Sequence, residues 1–171
     1  MITETLQGLP PYGNPAKSFP NSDAFSEGLV VRFTPTDGER WVGNFALSWK
    51  LPSGVHEQFG EHAILVVAGG DVFVVDAKAQ TAVLEFVCAK NIRFEADLDV
   101  FLITDDCYVA VLGRSGVKWR SRRIAWDGIT DLERRGRSLH GLAFDIGEQP
   151  PVPFTIDLET GRVTGGSYIP D

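Results

Sequence analysis

The stretch VFLITDDCYVAVLGRSGVKWRS, residues 100–121, decides the fold class. It contains three short runs rich in β-branched and aromatic side chains, at residues 100–104, 108–112 and 117–121. Turn-forming groups separate these runs, first Asp105-Asp106 and then Arg114-Ser115-Gly116. Short alternating runs bounded by such turns are typical of antiparallel hairpins. The stretch therefore predicts an antiparallel β-meander.

Similar runs continue on both sides of this stretch. They lie at residues 139–144, 153–157 and 162–165 toward the C-terminus, and at 29–34, 40–45, 63–67, 72–76, 82–87 and 92–96 toward the N-terminus. The 18 glycines and 10 prolines suit a protein rich in turns, and long helical periods are scarce. We therefore expect an all-β, single-domain fold over residues 29–171, with little helix.

Residues 1–28 precede the first of these runs and are expected to form an ordered arm. The prolines of this segment remove backbone donors and restrict their neighbours, which disfavours regular structure. A disordered tail would contain few aromatic residues. This segment instead intersperses its prolines with larger apolar side chains, Leu9, Tyr12, Phe19 and Phe25. We expect these side chains to hold the arm against the β domain.

A hairpin pattern recurs along the chain. The segments VVRFTPTDGERWV (30–42), VFVVDAKAQTAVL (72–84), VAVLGRSGVKW (109–119) and FTIDLETGRVT (154–164) each place a turn between two alternating runs. The pattern resembles the outer hairpin of quinoprotein-type and WD-type propeller blades, which repeat every ~40–50 residues. WD repeats have a Trp-Asp dipeptide at the end of a strand. The one Trp-Asp dipeptide of this chain, Trp126-Asp127, precedes Gly128, where we expect a turn instead. The resemblance implies a small propeller-like arrangement. Because any antiparallel meander contains such hairpins, we expect a two-sheet sandwich or half-open barrel ahead of the propeller-like arrangement.

Charge is distributed unevenly along the sequence. The chain has a formal net charge of −7, but residues 114–137 contain eight of the 16 basic residues and three acids, which leaves −12 on the remainder. The eight are Arg114, Lys118, Arg120, Arg122, Arg123, Arg134, Arg135 and Arg137. In a strand, Lys118, Arg120 and Arg122 would share one face and Trp119 the other. A strand with cations along one face could bind a phosphate polymer or an acidic protein. Alternatively, these cations pair with acids of neighbouring strands.

No arrangement of reactive residues has the spacing that a known chemistry requires. The segment HEQFGEH places His56 and His62 six residues apart, whereas zincin chemistry needs two histidines four residues apart on a helix. Cys88 and Cys107 lie beside apolar residues and are expected to be buried thiols in a reducing compartment. We therefore expect no catalytic residue, no metal site and no cofactor.

These observations favour a non-enzymatic protein-binding module in the cytoplasm, with no membrane segment. In size and acidity the chain resembles bacterial immunity proteins, which would imply an inhibitor that masks a toxin or enzyme. The expected partner-binding residues combine aromatic side chains with the alternating cations: Trp41, Asn44, Trp49, Tyr108, Trp126, Lys118, Arg120 and Arg122.

Two alternatives to protein binding remain. In the first, the aromatic residues line a pocket at the strand ends of a small-ligand-binding protein or an enzyme. In the second, residues 114–137 bind nucleic acid, which the net negative charge makes unlikely.

Overall fold

The computed structural model describes residues 1–21, 26–147 and 149–169. Within this part of the chain there are sixteen β-strands in four sheets and no helix. In the described part of the chain, all strand pairs are antiparallel except that of β2 with β4. The predicted all-β class with antiparallel sheets is therefore confirmed.

Contacts between residues divide the chain into two compact units, Met1–Ala89 and Lys90–Asp171. The first sheet of the first unit has the strand order β1-β3-β4-β2, with β2 parallel to β4. Its strands are β1 (Ile2–Leu6), β2 (Lys17–Phe19), β3 (Leu29–Thr34) and β4 (Trp41–Phe45). The second sheet is a meander of β5 (Gly54–His56), β6 (Ile64–Ala68), β7 (Asp71–Asp76) and β8 (Thr81–Phe86).

The second unit contains two antiparallel meanders of four consecutive strands each. The third sheet comprises β9 (Asn91–Glu95), β10 (Val100–Thr104), β11 (Val109–Gly113) and β12 (Gly116–Arg120). The fourth comprises β13 (Ile129–Arg135), β14 (Ser138–Ala143), β15 (Val152–Asp157) and β16 (Val163–Gly165).

Each unit has an apolar cluster to which both of its sheets contribute. In the first unit, Phe33 and Phe45 of the first sheet pack with Phe73 of the second, and all three side chains are fully buried. In the second unit, Val109 of the third sheet joins Ile156 of the fourth. A four-stranded meander is the topology of a propeller blade, and two sheets over one core is the packing of a sandwich. The choice between these arrangements stays a prediction.

The predicted division into an arm, 1–28, and a domain, 29–171, also stays a prediction, but the structure adds detail to the arm. The arm contributes β1 and β2, the two edge strands of the first sheet. Phe19 stacks on Phe45 with ring centroids 5.2 Å apart. Tyr12 is almost fully exposed, and Phe25 lies outside the described residues.

The same turn connects the third and fourth strands of the second and fourth sheets. Asp76 Oδ1 accepts hydrogen bonds from the backbone N–H groups two and three residues later, both at 2.9 Å. Asp157 Oδ1 does the same, at 3.0 and 2.8 Å. The residue four positions after each aspartate has a positive φ, 55° at Gln80 and 73° at Gly161. This turn accounts for two of the four hairpin segments of the sequence, 72–84 and 154–164.

A tryptophan is bonded to each of these turns, and Trp41 is buried whereas Trp119 is half-buried. Trp41 Nε1 donates to the carbonyl of Ala77 at 2.8 Å, and Trp119 Nε1 donates to the carbonyl of Leu158 at 3.0 Å. Ala77 and Leu158 each follow the turn aspartate and are buried. We call this contact the indole latch. It connects the first sheet of each unit to the second sheet of that unit.

Replacing the latch tryptophans should destabilise the fold. Trp41→Phe or Trp119→Phe removes the indole donor and leaves a turn carbonyl without it, which should lower the free energy of unfolding by about 1–3 kcal/mol. Trp49→Phe, at an exposed position, is the matched control and should change it by no more than about 0.5 kcal/mol. Urea denaturation of the three variants measures this. Equal midpoints for all three would show that the latch does not stabilise the protein.

Gly161 should tolerate a side chain less well than Gly136 does. Both have positive φ, 73° and 61°, so alanine is strained at each. A Cβ at Gly161 would lie 2.8 Å from the ring of Trp119, whereas a Cβ at Gly136 has nothing within 4 Å. Gly161→Ala should therefore lower the free energy of unfolding by roughly 1–3 kcal/mol more than Gly136→Ala, the usual cost of overpacking. Thermal unfolding of the pair tests this, and equal melting temperatures would contradict it.

Candidate functional site

Two aromatic side chains and an arginine form a cluster at the surface of the second unit, in which Trp126 is exposed and Arg123 and Tyr168 are half-buried. The rings of Trp126 and Tyr168 meet edge to face with centroids 4.8 Å apart. The guanidinium carbon of Arg123 lies 4.7 Å from the Trp126 centroid and 5.2 Å from that of Tyr168. Trp126 remains 39% exposed. A large aromatic residue is thus presented to solvent in a defined orientation.

Backbone carbonyl groups hold the arginines of this cluster in place. Arg123 Nε donates to the carbonyl of Ala125 at 3.0 Å. Arg122 donates to the carbonyl groups of Gly165 and Tyr168, at 2.8 and 3.1 Å. Tyr168 N–H in turn donates to the carbonyl of Ile124 at 3.0 Å. These bonds join the segment after β12 to the segment after β16, and so fix Trp126 against Tyr168.

A second arginine–aromatic stack is formed by Arg120 and Tyr108, next to the segment that carries Arg123 and Trp126. The guanidinium carbon of Arg120 is 4.2 Å from the centroid of Tyr108, and its Nη2 is 3.4 Å from Asp105 Oδ2. Ile124 N–H donates to the carbonyl of Cys107 at 2.8 Å, which brings the two stacks to one end of the unit. We call the set Tyr108, Arg120, Arg123, Trp126 and Tyr168 the aromatic–arginine surface.

This surface unites several of the residues that the sequence singled out. Tyr108, Trp126 and Arg120 belong to it, and Arg122 ties its backbone segments together. Lys118 lies elsewhere and lines a cleft of about 260 Å³ with Trp119 and other residues. As expected for a strand, Lys118 and Arg120 are exposed and Trp119 is half-buried, but β12 ends before Arg122.

The three predicted residues of the first unit are not brought together. Trp41 is 6% exposed and forms the indole latch. Asn44 is 2% exposed, and its side chain accepts a hydrogen bond from Gly28 N–H at 2.8 Å and donates to Ser18 Oγ at 3.2 Å. Both side chains are therefore used in packing the first sheet. Trp49 is 58% exposed in the segment between β4 and β5.

Most of the basic stretch is paired with carboxylates of its own unit. The ion pairs are Arg114 with Asp99, Arg120 with Asp105, Arg134 with Glu95 and Asp97, Arg135 with Glu133, and Arg137 with Glu159. Hydrogen bonds from Arg134 lower the pKa of Asp97, and those from Arg114 lower the pKa of Asp99. Pairing with neighbouring acids, one of the sequence interpretations, thus describes these arginines.

A larger cleft lies between the third and fourth sheets. Its volume is about 450 Å³. The lining comes from β9, β10, β13 and β14, with apolar side chains Ile92, Leu102, Ile129, Leu132 and Leu139 and polar residues Asn91, Arg93, Thr104, Thr130 and Asp131. We call it the β9–β13 cleft.

The histidines and cysteines are dispersed. His62 Nδ1 lies 2.9 Å from Asp76 Oδ2, and His140 Nδ1 lies 3.1 Å from Thr155 Oγ1. His56 is half-buried on β5, and burial lowers its pKa. Cys88 and Cys107 are not joined in a disulfide in the described part of the chain, and both are half-buried, less than the sequence predicts. Within residues 1–21, 26–147 and 149–169, no three His, Cys, Asp or Glu side chains are grouped to hold a metal ion.

Arg123, Tyr168 and the residues that line the cleft, Asp131 among them, are not identified by the sequence as binding residues. Arg123 was counted in the basic stretch, but nothing in its neighbours indicates a contact with Tyr168, which is 45 positions later. Asp131 has a φ of 52°, a conformation that aspartate adopts more readily than most residues. No local pattern signalled that conformation, because Asp131 lies inside a charged run, TDLERR.

Removing the carboxylate of Asp97 should change how stability depends on pH. Because the pKa of Asp97 is lowered by Arg134, its charged form stabilises the fold above the unfolded pKa of about 4, and this contribution is lost as the pH falls through the lower folded-state value. Asp97→Asn should therefore unfold at lower urea concentration than the unaltered chain at pH 7, with the difference vanishing in acid. Asp127→Asn, at another exposed aspartate, is the control. A difference that persisted at pH 2 would contradict the pairing.

Comparisons with known proteins assign no family to this chain. No protein-family model, curated protein or solved structure matches it. Among the residues that the structure describes, no helix is long and apolar enough to cross a membrane.

Proposed function

We propose that this protein is a binding module for another protein, without catalytic turnover, and that the aromatic–arginine surface is its contact site. The observation that carries the proposal is the exposed Trp126, which packs against both Arg123 and Tyr168. Trp, Tyr and Arg are the residues most enriched among those that dominate binding energy at protein interfaces. Three such side chains in one cluster held by hydrogen bonds make a suitable centre for an interface.

The hydrogen bonds beneath the surface support the proposal because they reduce the entropic cost of binding. Ordering a flexible side chain at an interface costs about 0.5–1.5 kcal/mol. Here Arg123 is already bonded to the carbonyls of Ala125 and Trp126, and Tyr168 is fixed through its backbone. A partner would therefore meet side chains that are largely in place.

An exposed acid beside the surface favours a basic partner. Asp106 is paired with Lys90 at 2.6 Å and Asp105 with Arg120, whereas Asp127, next to Trp126, forms no ion pair with any residue in the described part of the chain. The net charge of −7 would also steer a basic protein toward the chain. A narrower form of the proposal is an inhibitor of immunity type, which masks a basic toxin or enzyme.

Nucleic-acid binding receives less support. Phosphate contacts need free arginine or lysine side chains, and five arginines of the basic stretch are paired with carboxylates of the second unit. A phosphate polymer would have to displace those carboxylates.

The experiment compares two exposed tryptophans, Trp126 and Trp49, in the full chain. Affinity capture from the native host with quantitative mass spectrometry is carried out with the unaltered chain, Trp126→Ala and Trp49→Ala. We expect at least one protein that is retained by the unaltered chain and by Trp49→Ala but lost by Trp126→Ala. With that partner purified, Trp126→Ala should speed dissociation at least about tenfold, the range of an interface hot spot, with little change in association.

The charge proposal is tested with the same partner. Asp127→Lys should slow association and weaken its dependence on salt, because rim charges act mainly on encounter. Loss of binding in Trp49→Ala but not in Trp126→Ala would overturn the assignment of the surface. Substrate turnover by the pure protein, abolished by one substitution that leaves the fold intact, would overturn the proposed function.

A further inference from the structure

The β9–β13 cleft has the size and lining of a small-molecule site. Its volume of about 450 Å³ falls within the range of ligand pockets, roughly 300–1,000 Å³. The apolar residues Leu102 and Leu139 are buried, and Ile129 and Leu132 pack against the same cluster. Such pockets combine an apolar lining with a few polar groups that orient the ligand. The cleft shares no lining residue with the aromatic–arginine surface.

The charges around the cleft are almost fully paired. Arg93 Nε lies 2.5 Å from Glu95 Oε1, and Arg134 bridges Glu95 and Asp97. Arg135 lies 2.7 Å from Glu133. The remaining charged group in the lining is Asp131, which forms no ion pair with any residue in the described part of the chain.

The backbone holds Asp131 apart from the regular strand. The pairing of β13 with β14 shifts register between Thr130 and Glu133, and Asp131 lies in this bulge with a φ of 52°. Bulges of this kind redirect a side chain from the alternation of the strand and are frequent beside functional sites. The side-chain contact of Asp131 is a hydrogen bond of 3.4 Å from Thr130 Oγ1, which leaves most of the carboxylate available.

We propose that the β9–β13 cleft binds a small molecule that combines an apolar body with an ammonium group, and that Asp131 pairs with the ammonium group. The apolar body would lie against Ile92, Ile129 and Leu132. An anionic ligand fits less well, because the arginine of the lining is already paired with Glu95. The inference is independent of the proposed protein-binding function.

The experiment uses three probes with one carbon skeleton: 3-phenylpropylamine, 3-phenylpropanol and 3-phenylpropionate. Each is titrated into the full-length protein while methyl and amide NMR signals are recorded. We expect the amine to bind more tightly than the alcohol, and the alcohol more tightly than the carboxylate. The shifted signals should include the methyl groups of Ile92, Ile129 and Leu132.

Asp131→Asn tests the role of the carboxylate without a change of shape. Asparagine also tolerates a positive φ, so the bulge should be kept. The variant should bind the amine about three- to fivefold more weakly, the size of an exposed ion pair, and bind the alcohol as before. Asp37→Asn, at an exposed aspartate of the first unit, is the control and should bind all three probes unchanged.

Several outcomes would overturn the inference. These are equal affinity for the amine and the carboxylate, unchanged amine affinity in Asp131→Asn, shifts confined to residues outside the cleft, and no binding of any probe at millimolar concentration. None of them bears on Trp126, so the protein-binding proposal is tested separately.

Discussion

The indole latch is the contact on which both units of this protein depend. The indole ring of tryptophan has one hydrogen-bond donor, its N–H, and no acceptor. When the ring packs inside a protein, the N–H therefore needs an acceptor nearby. Trp41 and Trp119 each find the carbonyl that follows a turn aspartate. The residue that follows the turn aspartate also donates its own N–H to a carbonyl earlier in the chain. Ala77 donates to Glu61, and Leu158 donates to Arg137. In each unit, the residue after the turn aspartate is thus bonded to two other segments, one through its carbonyl and one through its N–H. In the second unit, these bonds hold together the two sheets that form the β9–β13 cleft.

The latch also separates structural tryptophans from exposed ones. Trp41 and Trp119 have satisfied donors inside their units, whereas Trp126 and Trp49 are at the surface. Exposure alone does not identify an interface. What distinguishes Trp126 is that its neighbours Arg123 and Tyr168 are held by hydrogen bonds of their own.

The sequence predicted the all-β class and most strands, because period-two patterning and turn residues are local signals. It missed β1, β2 and β5, which are short or polar and lie near prolines. It also missed β13, because the bulge at Asp131 interrupts the alternation of that strand. Leu84, an apolar residue in one of the predicted strands, is 37% exposed, because β8 is an edge strand. Composition could not separate Trp41 from Trp126, since their roles depend on partners far along the chain. The arginine stacks and the cleft likewise arise from contacts between segments that no local pattern connects.

The short reach of the latch has a consequence for how quickly the chain can fold. Its two bonds span 36 and 39 residues, so each closes a loop of moderate length in an all-β protein. Loop-closure entropy rises with the logarithm of loop length, and proteins dominated by distant pairings fold slowly. Every residue of the first latch and of the cluster around Phe33 lies before Lys90. During synthesis, therefore, these contacts can form on the ribosome while the second half of the chain is still being translated.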